Sequence, residues 1–226
     1  KKKYVGKHQD YDYSELLGKV NIGRKFSTDD FKIKVPGDKS RLDVRVIEII
    51  KGSIVTKQSI LPFVAQNSEL RADPERDIAK IAVIERHKAT GFYALGFVKG
   101  LGLRKGAIAS TVAHDSHNLI VAGVGDEEMA KAVNYLAQEG GGMAVVAERI
   151  AYLPLKIAGL MSTESIESVV KRHEDLKNAV KETGSGLENL FMIMSFLALP
   201  VIPELKITDK GLVDVNKFEI VSSYLR

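Results

Sequence analysis

At 226 residues with no cysteine, the chain is long enough for one large domain burying roughly 70–75% of its unfolded surface, so it needs no disulfide or metal staple. The missing cysteine excludes a disulfide framework, a thiolate nucleophile and a Cys-containing zinc finger, and it fits a reducing compartment, with the cytoplasm as the expected location. The formal charge of +4 is uneven: residues 1–41 carry 11 Lys or Arg against 6 Asp or Glu and the remainder 22 against 23, so the near-neutral body offers no clustered cationic face to nucleic acid.

Lys1 to about Asp30 is polar, basic and weakly periodic, and is expected as a basic arm or connector from an upstream domain. The opening "KKKYVGKHQDYDY" lacks the apolar core of a signal peptide, and its first residue is not Met, which reads as a fragment or a processed product. The main domain is expected over 31–226. There "FKIKV" alternates at period two, "RLDVRVIEII" and "GSIVTKQSILPFV" read as strands around a turn near Lys51-Gly52, and "DIAKIAVIERH" reads as a further strand. "GAIASTV" and "NLIVAGVG" are two more.

Two helices are marked by periodicity. In "DEEMAKAVNYLAQEGGG", Asp126 is placed to cap, Met129, Ala132, Val133 and Leu136 share a face, and three glycines end the element. The second runs from about Thr163 to Thr183 with Ile166, Val169, Val170, His173, Leu176 and Val180 on one stripe, so His173 is expected as a packed core histidine. A third, over Leu187 to Leu197, is apolar on most sides, is expected to be buried, and ends before Pro200. Adjacent strands followed by helices predict an α+β layered domain with a largely antiparallel sheet flanked by helices. The longest apolar runs, "LIVAGVG" and "LFMIMSFLALPVIP", fall short of the roughly 20 residues of a membrane span.

The chemistry-bearing stretch is "VAHDSHNLIV", which sets His114, Asp115, Ser116, His117 and Asn118 between two strand-like runs. A metal pair is disfavoured, because i and i+3 in a strand point to opposite faces and none of the five histidines stands in an H-x-H or H-E-x-x-H arrangement. A Ser-His-Asp hydrolase is disfavoured because consecutive residues cannot form the required line of hydrogen bonds, and Ser116 lacks a G-x-S-x-G elbow. Two readings stay open: a hairpin connection of turn-forming residues, and a polar loop facing a ligand or active site. Arg86-His87 reads as a strand-end charge pair or a site-facing pair. The glycines of "TGFYALGFVKGLGL" match neither a P-loop nor a dinucleotide fingerprint and suit tight turns and close backbone approach.

Together, "VIERHKATGFYALGFVKGLGLRKGAIASTVAHDSHNLIVAGV", "GGGMAVV", "LPLKIAGLMS" and "SFLALPVIPELKITDKGLVDV" closely resemble the C-terminal domain of bacterial and archaeal adenine deaminases of the amidohydrolase superfamily. The resemblance implies hydrolysis of adenine to hypoxanthine and ammonia in purine salvage, with manganese or iron held on an amidohydrolase barrel domain outside this chain and no cofactor held by this chain. It further implies that His114 to Asn118 face the barrel mouth or a partner subunit. Gly159 to Ser162, with Met161 and Ser162, are second candidates for that face beside a plain helix-start reading. The expected partners are the barrel domain, adenine and, in a homo-oligomer, further copies. The alternative is a free-standing, non-catalytic purine- or protein-binding module. An autonomous hydrolase would require metal-dependent loss of adenine with this chain alone.

Overall fold

The computed structural model describes residues 11–18, 20–35, 37 and 40–225. In chain order the elements are β1 (Ile33–Lys34), β2 (Arg41–Ile49), β3 (Thr56–Val64), β4 (Glu69–Leu70), β5 (Ile78–Ile84), β6 (Tyr93–Lys99), β7 (Ala107–Ser110) and β8 (Leu119–Gly123). There follow α1 (Asp126–Glu139), β9 (Gly142–Val146), β10 (Ile150–Pro154), α2 (Ile166–Glu182), α3 (Leu190–Leu197), β11 (Leu205–Thr208), β12 (Gly211–Asp214) and β13 (Glu219–Val221).

Eight strands form the central sheet in the order β10-β9-β7-β8-β5-β6-β2-β3. Its neighbours are antiparallel except β2 and β6, which run parallel. Successive strand residues point to opposite faces, and both faces are covered. Ala82, Ile84, Leu119 and Val121 pack with Met129, Val133 and Leu136 of α1. Ile81, Val83, Ile120 and Ala122 pack on the other side with α2, α3 and the β11-β12-β13 sheet. This double covering explains why β5 and β8 read as continuous apolar runs instead of alternating ones. The result is the expected α+β layered fold with a largely antiparallel sheet. No helix among the described residues is long and apolar enough to cross a membrane.

Several local expectations are corrected. The arm divides: Lys1 to Asp10 lie outside the described residues, but Val20, Ile22, Phe26 and Phe31 are buried against α1 and the sheet, so this stretch belongs to the core. Sparse apolar residues at irregular spacing hid that role. Asp126 does not cap α1. Gly125 is the N-cap, and the Asp126 carboxylate instead accepts the buried Lys80 amine at 2.7 Å, while the same amine donates to the Phe31 carbonyl at 2.9 Å. On α2 only Leu176, Ala179 and Val180 are buried. Ile166 is 75% and Val170 51% exposed, and His173 is exposed rather than packed, because the sheet supports only the C-terminal half of the stripe. On α3, Leu190, Met194 and Leu197 are buried but Met192 is exposed.

The glycine-rich run contains β6. Gly91, Gly100 and Gly102 adopt left-handed backbone at its ends, and a Cβ on Gly96 would stand 3.1 Å from Leu212, so β12 packs across a bare backbone. On β11, Lys206 is fully buried, with its amine on the Ile54 carbonyl at 2.9 Å.

Candidate functional site

The antiparallel registers bring three chain segments to one end of the sheet. Ile84 pairs with Leu119 and Ser110 with Ile120, so residues 85–87 and the 111–118 connection leave the sheet side by side. Arg86 organises them. Its side chain is buried, and its guanidinium donates to the carbonyls of His117, Thr111 (3.4 Å) and Ala158 (3.1 Å). Burial lowers its pKa from 12.5. The strand-end charge pair therefore acts as an internal anchor that ties the 111–118 loop to the turn at 158–161.

The turn at 158–161 is shaped to fit this anchor. Gly159 is left-handed, and an added Cβ would stand 2.8 Å from the Arg86 guanidinium. Thr111 Oγ1 donates to the Gly159 carbonyl at 2.6 Å. Of the two residues singled out in this turn, Met161 is 57% exposed. Ser162 Oγ accepts from the Glu164 N–H at 3.1 Å, turning the chain towards α2.

The loop itself is a turn, not a strand, which corrects the expectation that His114 and His117 diverge. The His117 N–H donates to the Ala113 carbonyl at 2.6 Å, His117 is left-handed at φ 50, and the two imidazole centroids lie 5.7 Å apart. The His114 N–H donates to the Ser195 carbonyl at 3.0 Å, and its ring lies 4.9 Å from that of Phe196, so the loop rests on the end of α3. His117 Nδ1 accepts from the Ala113 N–H at 3.2 Å. Burial first, then repulsion from His114 and Arg86, lowers the His117 pKa below 6.5. The ring is accordingly neutral at pH 7, with its proton on Nε2.

His87 closes the other side, its Nε2 donating to the Ser116 carbonyl at 2.7 Å. Asp115 and Ser116 are exposed, and Asn118 is buried with Nδ2 on the Asp209 carboxylate at 3.1 Å and its Oδ1 unpartnered. No group of three or more His, Asp or Glu among the described residues is arranged to hold a metal ion.

Sequence reasoning missed Glu85, Thr111 and Asp209. Glu85 accepts from the backbone N–H groups of His87, Lys88 and Thr90. Burial raises its carboxyl, but these donors outweigh that effect and bring it down to about 2. An acidic residue five positions before Thr90 and six before a glycine was the available turn signal. Asp209 reaches Asn118 across 91 residues of sequence, and no local pattern announces it.

The N-terminal segment runs along this same end. The Ala158 N–H donates to the Leu16 carbonyl at 3.1 Å and the Asn21 N–H to the Arg86 carbonyl at 3.0 Å. Leu16, Phe92 and Met161 are exposed.

The family model for the adenine deaminase C-terminal domain matches residues 53–219. An adenine deaminase of Desulfatibacillum aliphaticivorans is 51% identical over 197 residues, covering 86% of this chain and 34% of that protein. Adenine deaminases of Staphylothermus marinus and of Clostridium botulinum (strain Langeland) are 44% and 42% identical over 93% and 95% of the chain, and 36% of each protein is covered. The chain thus spans about a third of the length of these curated relatives.

Proposed function

Because the chain belongs to the family of adenine deaminase C-terminal domains, we propose that it forms the C-terminal part of an enzyme that converts adenine and water to hypoxanthine and ammonia in purine salvage. Such a displacement of ammonia draws on a metal-activated water. Among the described residues none are arranged as a metal centre: His114 and His117 have no third ligand beside them, and His117 Nδ1 is already an acceptor. On this reading, activation of water falls to the remainder of the enzyme, with manganese or iron on an amidohydrolase barrel.

The contribution of this domain is positional. Arg86 fixes the loop backbone from inside, leaving the His117 Nε2–H, the His114 ring and the Asp115 carboxylate without hydrogen-bond partners among the described residues. Placed against a reacting centre, a neutral imidazole donor and a carboxylate are suited to orient a purine edge, hold a proton near the leaving amine, and exclude bulk water. The observation that carries this reading is a loop tied by buried carbonyl contacts that still leaves the His117 Nε2–H and the Asp115 carboxylate without hydrogen-bond partners among the described residues.

The test is adenine turnover by the complete enzyme. His117→Ala is expected to lower kcat at least tenfold while the domain stays folded, and His114→Ala to lower it less. Full activity in both variants would reduce the loop to a structural connection.

A further inference from the structure

We propose that the domain carries a second binding site, for a small amphipathic anion consisting of a hydrocarbon chain with a carboxylate or phosphate head, between α2, the β9–β10 edge and the start of α3. A cavity of about 310 Å³ lies there, at the lower end of the range for small-molecule sites. It is separate from the polar loop and does not depend on the reading of that loop.

The wall selects the body of the ligand. Leu153, Leu176, Val180 and Leu190 line it and are buried, with Met143 and Phe191 half-buried beside them. Ser185 is the buried polar side chain in this wall, and its hydroxyl is already used on the Leu101 carbonyl at 2.6 Å. A nucleobase seated here would leave its ring nitrogens and amine desolvated without partners, whereas a hydrocarbon chain loses nothing. The wall therefore suits an aliphatic body and disfavours a second purine.

The rim selects the head. His173, Lys177 and Lys181 recur at four-residue spacing on α2, are exposed, and line the mouth. Neither lysine forms an ion pair among the described residues. Of the neighbouring charges on α2, Asp175 and Glu182 hold Arg149 and Arg172 holds Glu164, while Glu174 does not line the cavity. Glu188 is the carboxylate in the lining, so the rim carries a net positive charge. Asn189 to Met192 also line the cavity, and α3 begins there without a side-chain cap, which adds the positive end of a helix to the same rim.

The test is calorimetric titration of the 226-residue chain with sodium decanoate, with decyl phosphate and with the neutral control decanol. Expected are one saturable site for at least one of the two anions, binding of decanol at least tenfold weaker, and at least a tenfold loss of affinity in the Lys177→Glu/Lys181→Glu double variant. Leu187→Trp, which fills the cavity from its half-buried side, should abolish binding while the melting temperature holds. A preference between the two anions identifies the head group and supports the assignment. Absence of saturation with both anions, equal affinity for decanol, or full affinity in the double variant would overturn it.

Discussion

Replacing Lys206 by Met should stabilise the protein at neutral pH. The amine is fully buried, meets the Ile54 carbonyl, and is pushed by burial from 10.5 to about 8. At about 1.4 kcal/mol per pH unit, that displacement corresponds to a penalty on the order of 3 kcal/mol for keeping the charge inside. Loss of the bond to Ile54, whose side chain is 47% exposed, offsets this by about 1 kcal/mol. A net gain of about 1–2 kcal/mol is expected for Lys206→Met at pH 7. The sign of the pH dependence follows from the direction of the shift. Below pH 8 both folded and unfolded chains hold the proton and the penalty is constant. Between pH 8 and 10.5 the unfolded chain holds it and the folded chain does not, so wild-type stability rises and the advantage of Met disappears. Urea unfolding followed by circular dichroism at pH 7, 9 and 10.5 would measure this convergence. Parallel pH profiles, or a Met variant less stable than wild type at pH 7, would refute the reasoning.

Three further outcomes can be checked by the same unfolding assay. Glu85, held at about 2 against an ordinary 4.5, contributes stability that is present above pH 4.5 and is lost as pH falls towards 2; Glu85→Gln should cost about 1–3 kcal/mol at pH 7 and much less at pH 3. Gly159→Ala should cost about 1–3 kcal/mol, because the residue is left-handed and its new methyl meets the Arg86 guanidinium. Asp126→Asn, which leaves the buried Lys80 amine without its carboxylate, should cost about 3–5 kcal/mol, and adding Lys80→Met in the same chain should recover most of that loss.

The strands with long apolar runs were legible because burial on both faces leaves a strong local trace: β5 and β8 stand where "IAKIAVI" and "LIVAG" predict them. The short strands after α1 were not. β9 to β13 are only three to five residues long, too few to establish a period. The His173 expectation failed because periodicity reports which residues share a face but not how far the neighbouring layer extends beneath it. At the candidate site, composition alone drew attention to His114 to Asn118. The way this loop is held was not legible: Arg86 read as a strand-end charge or a site-facing residue, not as a buried anchor, because its partners are backbone carbonyls of residues 111, 117 and 158, which any sequence supplies. Tertiary hydrogen bonds to the main chain carry no residue signature.

Arg86 faces two ways at once. Its own carbonyl receives Asn21 from the incoming segment, while its head group grips the far wall of the loop. The incoming segment and the backbone of His117 are therefore joined through a single residue, without a relay of packed side chains.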